Sequence, residues 1–331
     1  MNVEGRLHQK TYATFERKED SKNLSSLCLD LVSEQKETWQ DLREGYACLE
    51  EIRERTLSCE GFLVRLQYNP RRIASSLAMA AGKTDSKQEC FLCLDHLPDG
   101  QKGILYRGQY LILCNPMPVL TSQFTVAHLA HCDQSIFEHM GPFFQLLDDL
   151  GSGWTVLYNG PNCGASAPDH HHFHVAPSGQ MPIEKEIRKK KWILMKEAAG
   201  AFLYRMKDAG RETIILEGND RTAVQGALRD YLGALKSVLL LEEEPMINIA
   251  AFCEKRKWRL LIFPRRKHRP DVFFKEGEER IVVSPGVIEM GGILVTPLER
   301  DFERLDRATV ESIYEEVSLD RETAEEAVHV M

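Results

Sequence analysis

Four of the eleven histidines in this chain fall within five consecutive residues, His170-His171-His172-Phe173-His174, and the run closes on Pro177. If residues 170–176 form a strand, side chains alternate. His170, His172 and His174 then share one face at ~6.6–6.8 Å spacing, and His171, Phe173 and Val175 share the other. Three imidazoles on one face suit a functional surface better than a core. The turn ahead of the run carries Gly164 and Ser166, which offer main-chain N–H groups and a hydroxyl to an anion.

Three chemistries fit this pattern. An unprotonated imidazole attacks phosphorus and holds the group as a phosphoramidate, splitting a hard transfer into two easier ones. Its other nitrogen must be hydrogen-bonded to fix the tautomer, and neighbours on the same face stabilise developing charge. A histidine cluster also suits a metal, or a solvated loop.

Composition narrows the partners. With 42 Lys+Arg against 50 Asp+Glu the formal net charge is −8 over 331 residues, which disfavours generic nucleic-acid binding. No apolar run approaches the ~20 residues that span a bilayer, and the first twenty residues have no signal-like apolar core, so a cytoplasmic location away from membrane is expected. Nine scattered cysteines suggest reduced thiols, some of them metal ligands.

The chain divides into a charged segment 1–60, expected as a helical extension, and two halves, 61–200 and 201–331, each mixing short β-like runs with helices. LVRLQYNP, GILYRGQYLILCNP, QFTVAHLA and WTVLYNG are expected strands. A helix over 133–151 has Asp133 as its N-cap and is kinked by Pro142. In the second half ETIILEG, PMINIAAF, WRLLIFPRR, ERIVVS and GVIEMGGILVTP are expected strands, and residues 220–240 a helix whose apolar stripe is a core feature. The fold class is α+β with antiparallel sheets and flanking helices, since few strand pairs enclose a helical crossover.

Cys90-Phe-Leu-Cys93 is a CxxC, which suits zinc or redox chemistry; no thioredoxin-like βαβ pattern surrounds it, which favours zinc, and a zinc site needs two further ligands. His96, His128, His131 and His170 are the histidines that could complete it. Asn69-Pro-Arg71-Arg72 is a turn with two arginines, suited to bidentate phosphate contact, and its neighbours Ser75 and Ser76 add hydroxyls. The denser run Arg265-Arg-Lys-His-Arg269 either faces the same cleft or forms a solvated hairpin.

His170-x-His172-x-His174-x-x-Pro177, behind Asn159-Gly-Pro-Asn-Cys-Gly164-Ala-Ser166, resembles the histidine-triad signature with the glycine-rich lead-in of the galactose-1-phosphate uridylyltransferase branch. That branch includes dinucleoside tetraphosphate phosphorylases and GDP-hexose phosphorylases. Ser284-Pro-Gly-Val-Ile-Glu-Met-Gly-Gly-Ile-Leu-Val-Thr-Pro297 and Asp301-Phe302 are most similar to the GDP-hexose phosphorylases.

The resemblance implies a nucleotidyltransferase or phosphorylase acting on a nucleotide phosphoanhydride, such as an NDP-sugar or a dinucleoside polyphosphate. His172 would carry the nucleotidyl group, flanked by His170, His174 and Ser166. Arg71, Arg72, Asn115, Phe124, Asn159 and Gly164 would contact substrate, and inorganic phosphate or a sugar phosphate would accept the group. It also implies a structural zinc on Cys90, Cys93, His131 and His170, and a possible homodimer. Histidine at position 174, where transferases of the branch usually carry glutamine, points to water as the alternative acceptor, and a nucleotide or metal sensor without turnover is a further alternative. The two halves are expected to be a duplicated unit, with Trp258–Pro264 in the place of the triad strand and its histidines lost.

Overall fold

In the structure, a computed structural model, residues 3–17, 23–73, 90–189 and 192–331 are described. Ser75 and Ser76 lie outside them. The segment before residue 60 holds α1 (Val3–Lys10), α2 (Leu24–Thr38) and α3 (Gln40–Glu51), and also strands β1 (Thr11–Phe15) and β2 (Arg53–Ser58). Charged flanks hide both strands from a reading by composition. β1 joins the main sheet beside β4 (Gly103–Tyr106), and β2 pairs with β3 (Leu63–Tyr68).

The first half continues with β5 (Tyr110–Cys114), β6 (Phe124–His128), α4 (Ile136–Leu150), β7 (Trp154–Asn159), β8 (His172–Pro177) and the short α5 (Pro182–Glu186). The second half supplies β9 (Trp192–Ala198), β10 (Ala201–Met206), β11 (Ile214–Gly218), α6 (Arg221–Val238), β12 (Ile247–Glu254) and β13 (Lys257–Pro264). Then come α7 (Val287–Met290), β14 (Ile293–Thr296), α8 (Glu299–Arg304), α9 (Arg307–Val317) and α10 (Arg321–Val330).

Eleven of these strands form one sheet in the order β1-β4-β5-β6-β8-β7-β12-β13-β11-β10-β9, and β14-β3-β2 form a second. The pairings are antiparallel except β1 with β4 and β14 with β3. The fold is α+β, with mixed sheets and flanking helices. Read inward from either edge of β4–β13, the order is the same: three sequential strands, then the fifth, then the fourth, with a helix joining third to fourth.

Alternation along the strands sorts apolar side chains onto two faces. Phe124, Val126, Phe173 and Val175 pack with Phe143 and Leu147 of α4 and with Leu228, Tyr231 and Leu235 of α6. Leu157, Ala176, Ala250, Leu261 and Phe263 face the other way, toward Ile313, Tyr314 and Val317 of α9. α6 begins where expected, with Asp220 accepting from the Ala223 N–H at 2.8 Å, a cap worth about 1 kcal/mol.

Two local expectations are corrected. α4 starts at Ile136, its N-cap is Ser135 and not Asp133, and the carboxylate at its first turn comes from Glu244, which accepts from the Ile136 N–H at 2.7 Å. The kink expected of Pro142 is present: the break falls at His139, one turn upstream, where the proline ring displaces the preceding turn. Residues 280–285 form no strand. The Val282 N–H is taken by the buried Asp301 carboxylate, at 2.8 Å, in place of a ladder partner.

Candidate functional site

β8 lies between β6 and β7, so its position is fixed from both sides. Ala127 opposes His172, and His174 faces Thr125 on one flank and Leu157 on the other. His172 and His174 therefore project onto the face of Ala176. Their rings meet edge to face at 5.1 Å. His170 stands ahead of the strand, in a turn where its N–H donates to the Ala167 carbonyl at 3.2 Å, and its ring is directed to the cysteines. His171 takes the opposite face, fully buried, and stacks on His139 with ring centroids 3.5 Å apart.

The ring of His172 is held by its own chain. Its Nδ1–H donates to the His170 carbonyl at 2.8 Å, because a carbonyl can only accept. That bond fixes the tautomer and leaves the lone pair on Nε2, which makes no hydrogen bond among the described residues. His172 is 1% exposed. Burial pushes its pKa down to about 4 against the opposing effect of the His170 hydrogen bond, so the ring is neutral near pH 7. Burial, His172 and the Arg72 cation depress His174 to about 3.

Gln134, which nothing in the sequence singles out, clamps this strand. Its Oε1 accepts from the His172 N–H at 2.8 Å, and its Nε2 donates to the carbonyls of His172 at 3.0 Å and Asn159 at 2.8 Å. It is buried, so these bonds have no water to replace them.

Of the two arginines, Arg72 is the one near the triad. It donates to the Met117 carbonyl at 3.3 Å and acts electrostatically on His174 and on Glu289. Arg71 is instead paired with Glu44 at 2.9 Å. Glu289, on α7, is a second group that sequence reasoning passed over. Burial raises its carboxyl pKa, with Arg72 and the Gly286 N–H acting against that shift.

The remaining candidates divide. Phe124 is buried on the face opposite the triad, against Trp154, and is a core residue, since register places it with Val175. Asn115 spends its Oδ1 on the Met117 N–H at 2.9 Å and so holds its own turn. Asn159 is a joint: its Oδ1 accepts from Asn248 at 2.8 Å and from the Val287 N–H at 2.7 Å. Gly164 has φ +88°, and a Cβ there would lie 2.7 Å from Gly286 Cα, so only glycine lets the lead-in pass this close to the second half. Ser166 is exposed in that lead-in.

Arg265 is neither a cleft cation nor solvated. It is buried and donates to Asn248 Oδ1 at 2.6 Å and to the carbonyls of Val317, Pro285, Lys267 and His268, at 2.9–3.0 Å. The guanidinium thereby ties β12 to the Pro285–Gly286 loop that touches Gly164.

Cys90, Cys93, His131 and His170 bring four donor atoms within 4.8 Å of one another. Cys90 Sγ and His170 Nδ1 are 3.3 Å apart, Cys93 Sγ and His131 Nδ1 3.3 Å, and Cys93 Sγ and His170 Nδ1 3.6 Å. A tetrahedral ion with S and N arms of ~2.3 and ~2.0 Å needs S–N edges of about 3.5 Å. His170 also donates its Nε2–H to the His128 carbonyl at 2.8 Å, which frees Nδ1 as a ligand. The residues fit a metal ion. His96 is outside the set; its Nδ1 bonds the Cys90 carbonyl at 2.9 Å.

Residues 31–177 match a domain of unknown function (DUF4922), and residues 214–330 match the GDPGP1-like C-terminal domain. No curated protein sequence matches the chain. Among solved structures, the yeast Ap4A phosphorylase Apa2 is similar over 90% of this chain and 95% of its own, with 14% identity and a TM-score of 0.56. An ADP-glucose phosphorylase from Arabidopsis thaliana, bound to ADP-glucose, aligns over 81% of this chain and 100% of its own, with 14% identity and a TM-score of 0.34. Among the described residues no helix is long and apolar enough to cross a membrane. The chain therefore has the fold of the Ap4A phosphorylase Apa2, and its residues 214–330 match the GDPGP1-like C-terminal domain.

Proposed function

We propose that the chain is a nucleotide phosphorylase or nucleotidyltransferase that works through a nucleotidyl-His172 intermediate. The observation that carries the reading is the His172 ring, neutral and locked with its lone pair on Nε2, between His170 and His174. Nε2 attacks the α-phosphorus of a nucleotide phosphoanhydride. The P–N bond forms as the bond to the leaving phosphate breaks, and the leaving group departs as a phosphate monoester. Inorganic phosphate then attacks the same phosphorus, the P–N bond breaks, and a nucleoside diphosphate leaves with Nε2 restored. Arg72 offers charge to the phosphoryl oxygens, and Ser166 with the lead-in N–H groups meets the leaving group.

The preferred substrate class is an NDP-hexose. It is supported by the late segment Ser284–Pro297 and by the GDPGP1-like match that covers it. The Apa2 likeness keeps dinucleoside polyphosphates in the screen. The metal is zinc and structural. It would join Cys90 and Cys93 to His170, next to the nucleophile's own anchor, and would orient the strand without touching phosphorus.

Phosphate dependence of turnover tests the acceptor. With GDP-hexose, the reading predicts GDP and hexose 1-phosphate, formed only when phosphate is present, and loss of turnover in His172→Asn. Equal rates without phosphate, yielding the monophosphate, would assign water as acceptor, the outcome His174 favours. Wild-type turnover in His172→Asn would eliminate the intermediate.

A further inference from the structure

The two halves of the sheet correspond residue by residue. In the first, Pro177 opposes Trp154, the first residue of β7, and Val175 opposes Phe124, the first residue of β6. In the second, Pro264 opposes Ile247, the first residue of β12, and Ile262 opposes Ile214, the first residue of β11. Each proline ends its strand, and the residue five places earlier is His172 in one half and Arg259 in the other. Both fall on the sheet face that holds Ala176, Leu261 and Phe263.

The surroundings of Arg259 are built differently from those of His172. The first half joins its last two strands by the lead-in 160–171; the second joins them by a tight turn at Lys255–Arg256. Both turn residues sit in the left-handed region, at φ +54° and +64°, where glycine or asparagine is the usual choice. The short turn leaves an open cleft of about 590 Å³, lined by Arg188, Trp192, Asn219, Lys255, Lys257 and Arg259 among others.

The cleft has a surplus of positive charge. Glu217 is shared by Lys257 at 2.7 Å and Arg259 at 2.8 Å, and Glu254 meets Arg188 at 3.2 Å. Lys255 has no carboxylate partner among the described residues. Four cations thus face two carboxylates. Trp192 sets its ring 5.1 Å from the Arg259 guanidinium, and its Nε1–H is buried with no hydrogen-bond acceptor among the described residues.

We propose that this cleft, the second half's counterpart of the triad site, binds a phosphate-bearing small molecule without reacting with it. An arginine replaces the imidazole, so phosphate is held and no P–N bond forms. Phosphate oxygens would meet Arg188, Lys255 and Lys257, with Trp192 supplying a donor and a flat face. The count of two ligands rests on the proposed nucleotide site at His172; the loss of one equivalent on charge reversal does not.

Calorimetric titration of the full chain with inorganic phosphate, and separately with GMP and GDP, tests it. Wild type is expected to bind two equivalents of whichever ligand is recognised. Arg188→Glu/Lys255→Glu, both exposed positions, should lose one equivalent and keep phosphorolysis. Arg188→Gln/Lys255→Gln should weaken the same site about tenfold or more. Ligand should quench tryptophan emission in wild type and much less in Trp192→Phe.

Phosphate binding as tightly as GMP assigns a site for the phosphoryl group alone; nucleotide binding far more tightly assigns one that also uses the Trp192 face. One equivalent in both wild type and charge-reversed protein, with quenching unchanged in Trp192→Phe, would overturn the proposal.

Discussion

Replacing Gln134 by leucine removes the clamp on the triad strand while keeping side-chain volume. Three main-chain groups lose their partner: the His172 N–H and the carbonyls of His172 and Asn159. A buried polar group left unpaired costs about 1–3 kcal/mol, and relaxation recovers part of it, so the total is roughly 2–5 kcal/mol. At roughly 2 °C per kcal/mol for a chain of this size, Tm should fall by about 4–10 °C. The larger effect is on chemistry. A strand free to shift by ~1 Å misplaces Nε2 enough to cost on the order of 100-fold in rate. We expect kcat to fall by about that factor with KM changed much less, at a temperature where circular dichroism shows the variant folded. Gln134→Glu retains the acceptor for the His172 N–H and loses both donors, so its kcat should lie between. A folded Gln134→Leu protein with kcat within about twofold of wild type would refute the positioning role.

Gly164→Ala adds a Cβ against Gly286 Cα at a left-handed backbone position; destabilisation of about 2–4 kcal/mol is expected in urea unfolding. Cys90→Ser, or dialysis against a strong chelator, should remove one equivalent of metal by elemental analysis and lower Tm, with re-addition of zinc restoring the chelated wild type and not the variant. Glu212 gives a pH test. Burial, aided by Glu325 and Asp320, raises its carboxyl to about 7. The unfolded chain ionises it near 4.5, so stability falls as pH rises from about 4.5 through 7. Glu212→Gln should therefore be more stable than wild type at pH 8, by about 1–3 kcal/mol in urea unfolding, with the gain shrinking toward zero below pH 5. A gain independent of pH would refute that assignment.

The triad strand was legible because alternation and a terminal proline leave a strand few alternatives; only its first residue moved, from His170 to His172, because His170 sits in the turn ahead of the strand with its ring toward Cys90 and Cys93. The ligand set was legible through the family pattern, and the donor distances agree with it. What stayed hidden was whatever long-range contacts decide. Gln134 and Glu244 serve elements remote in sequence. Asn159 and Arg265 look like substrate contacts by type and are joints between the halves. Phe124 was assigned to a pocket that its strand parity forbids. Strands β1 and β2 were masked because their neighbours are charged and their partners lie far along the chain.

The most direct test is the mass of the protein after mixing with GDP-hexose in the absence of phosphate and quenching under denaturing, non-acidic conditions. The account predicts a gain of one nucleotidyl group, mapped by fragmentation to His172, discharged on prior addition of phosphate and absent from His172→Asn. An unmodified wild-type mass while substrate is being consumed, or an adduct located on any other residue, would contradict it.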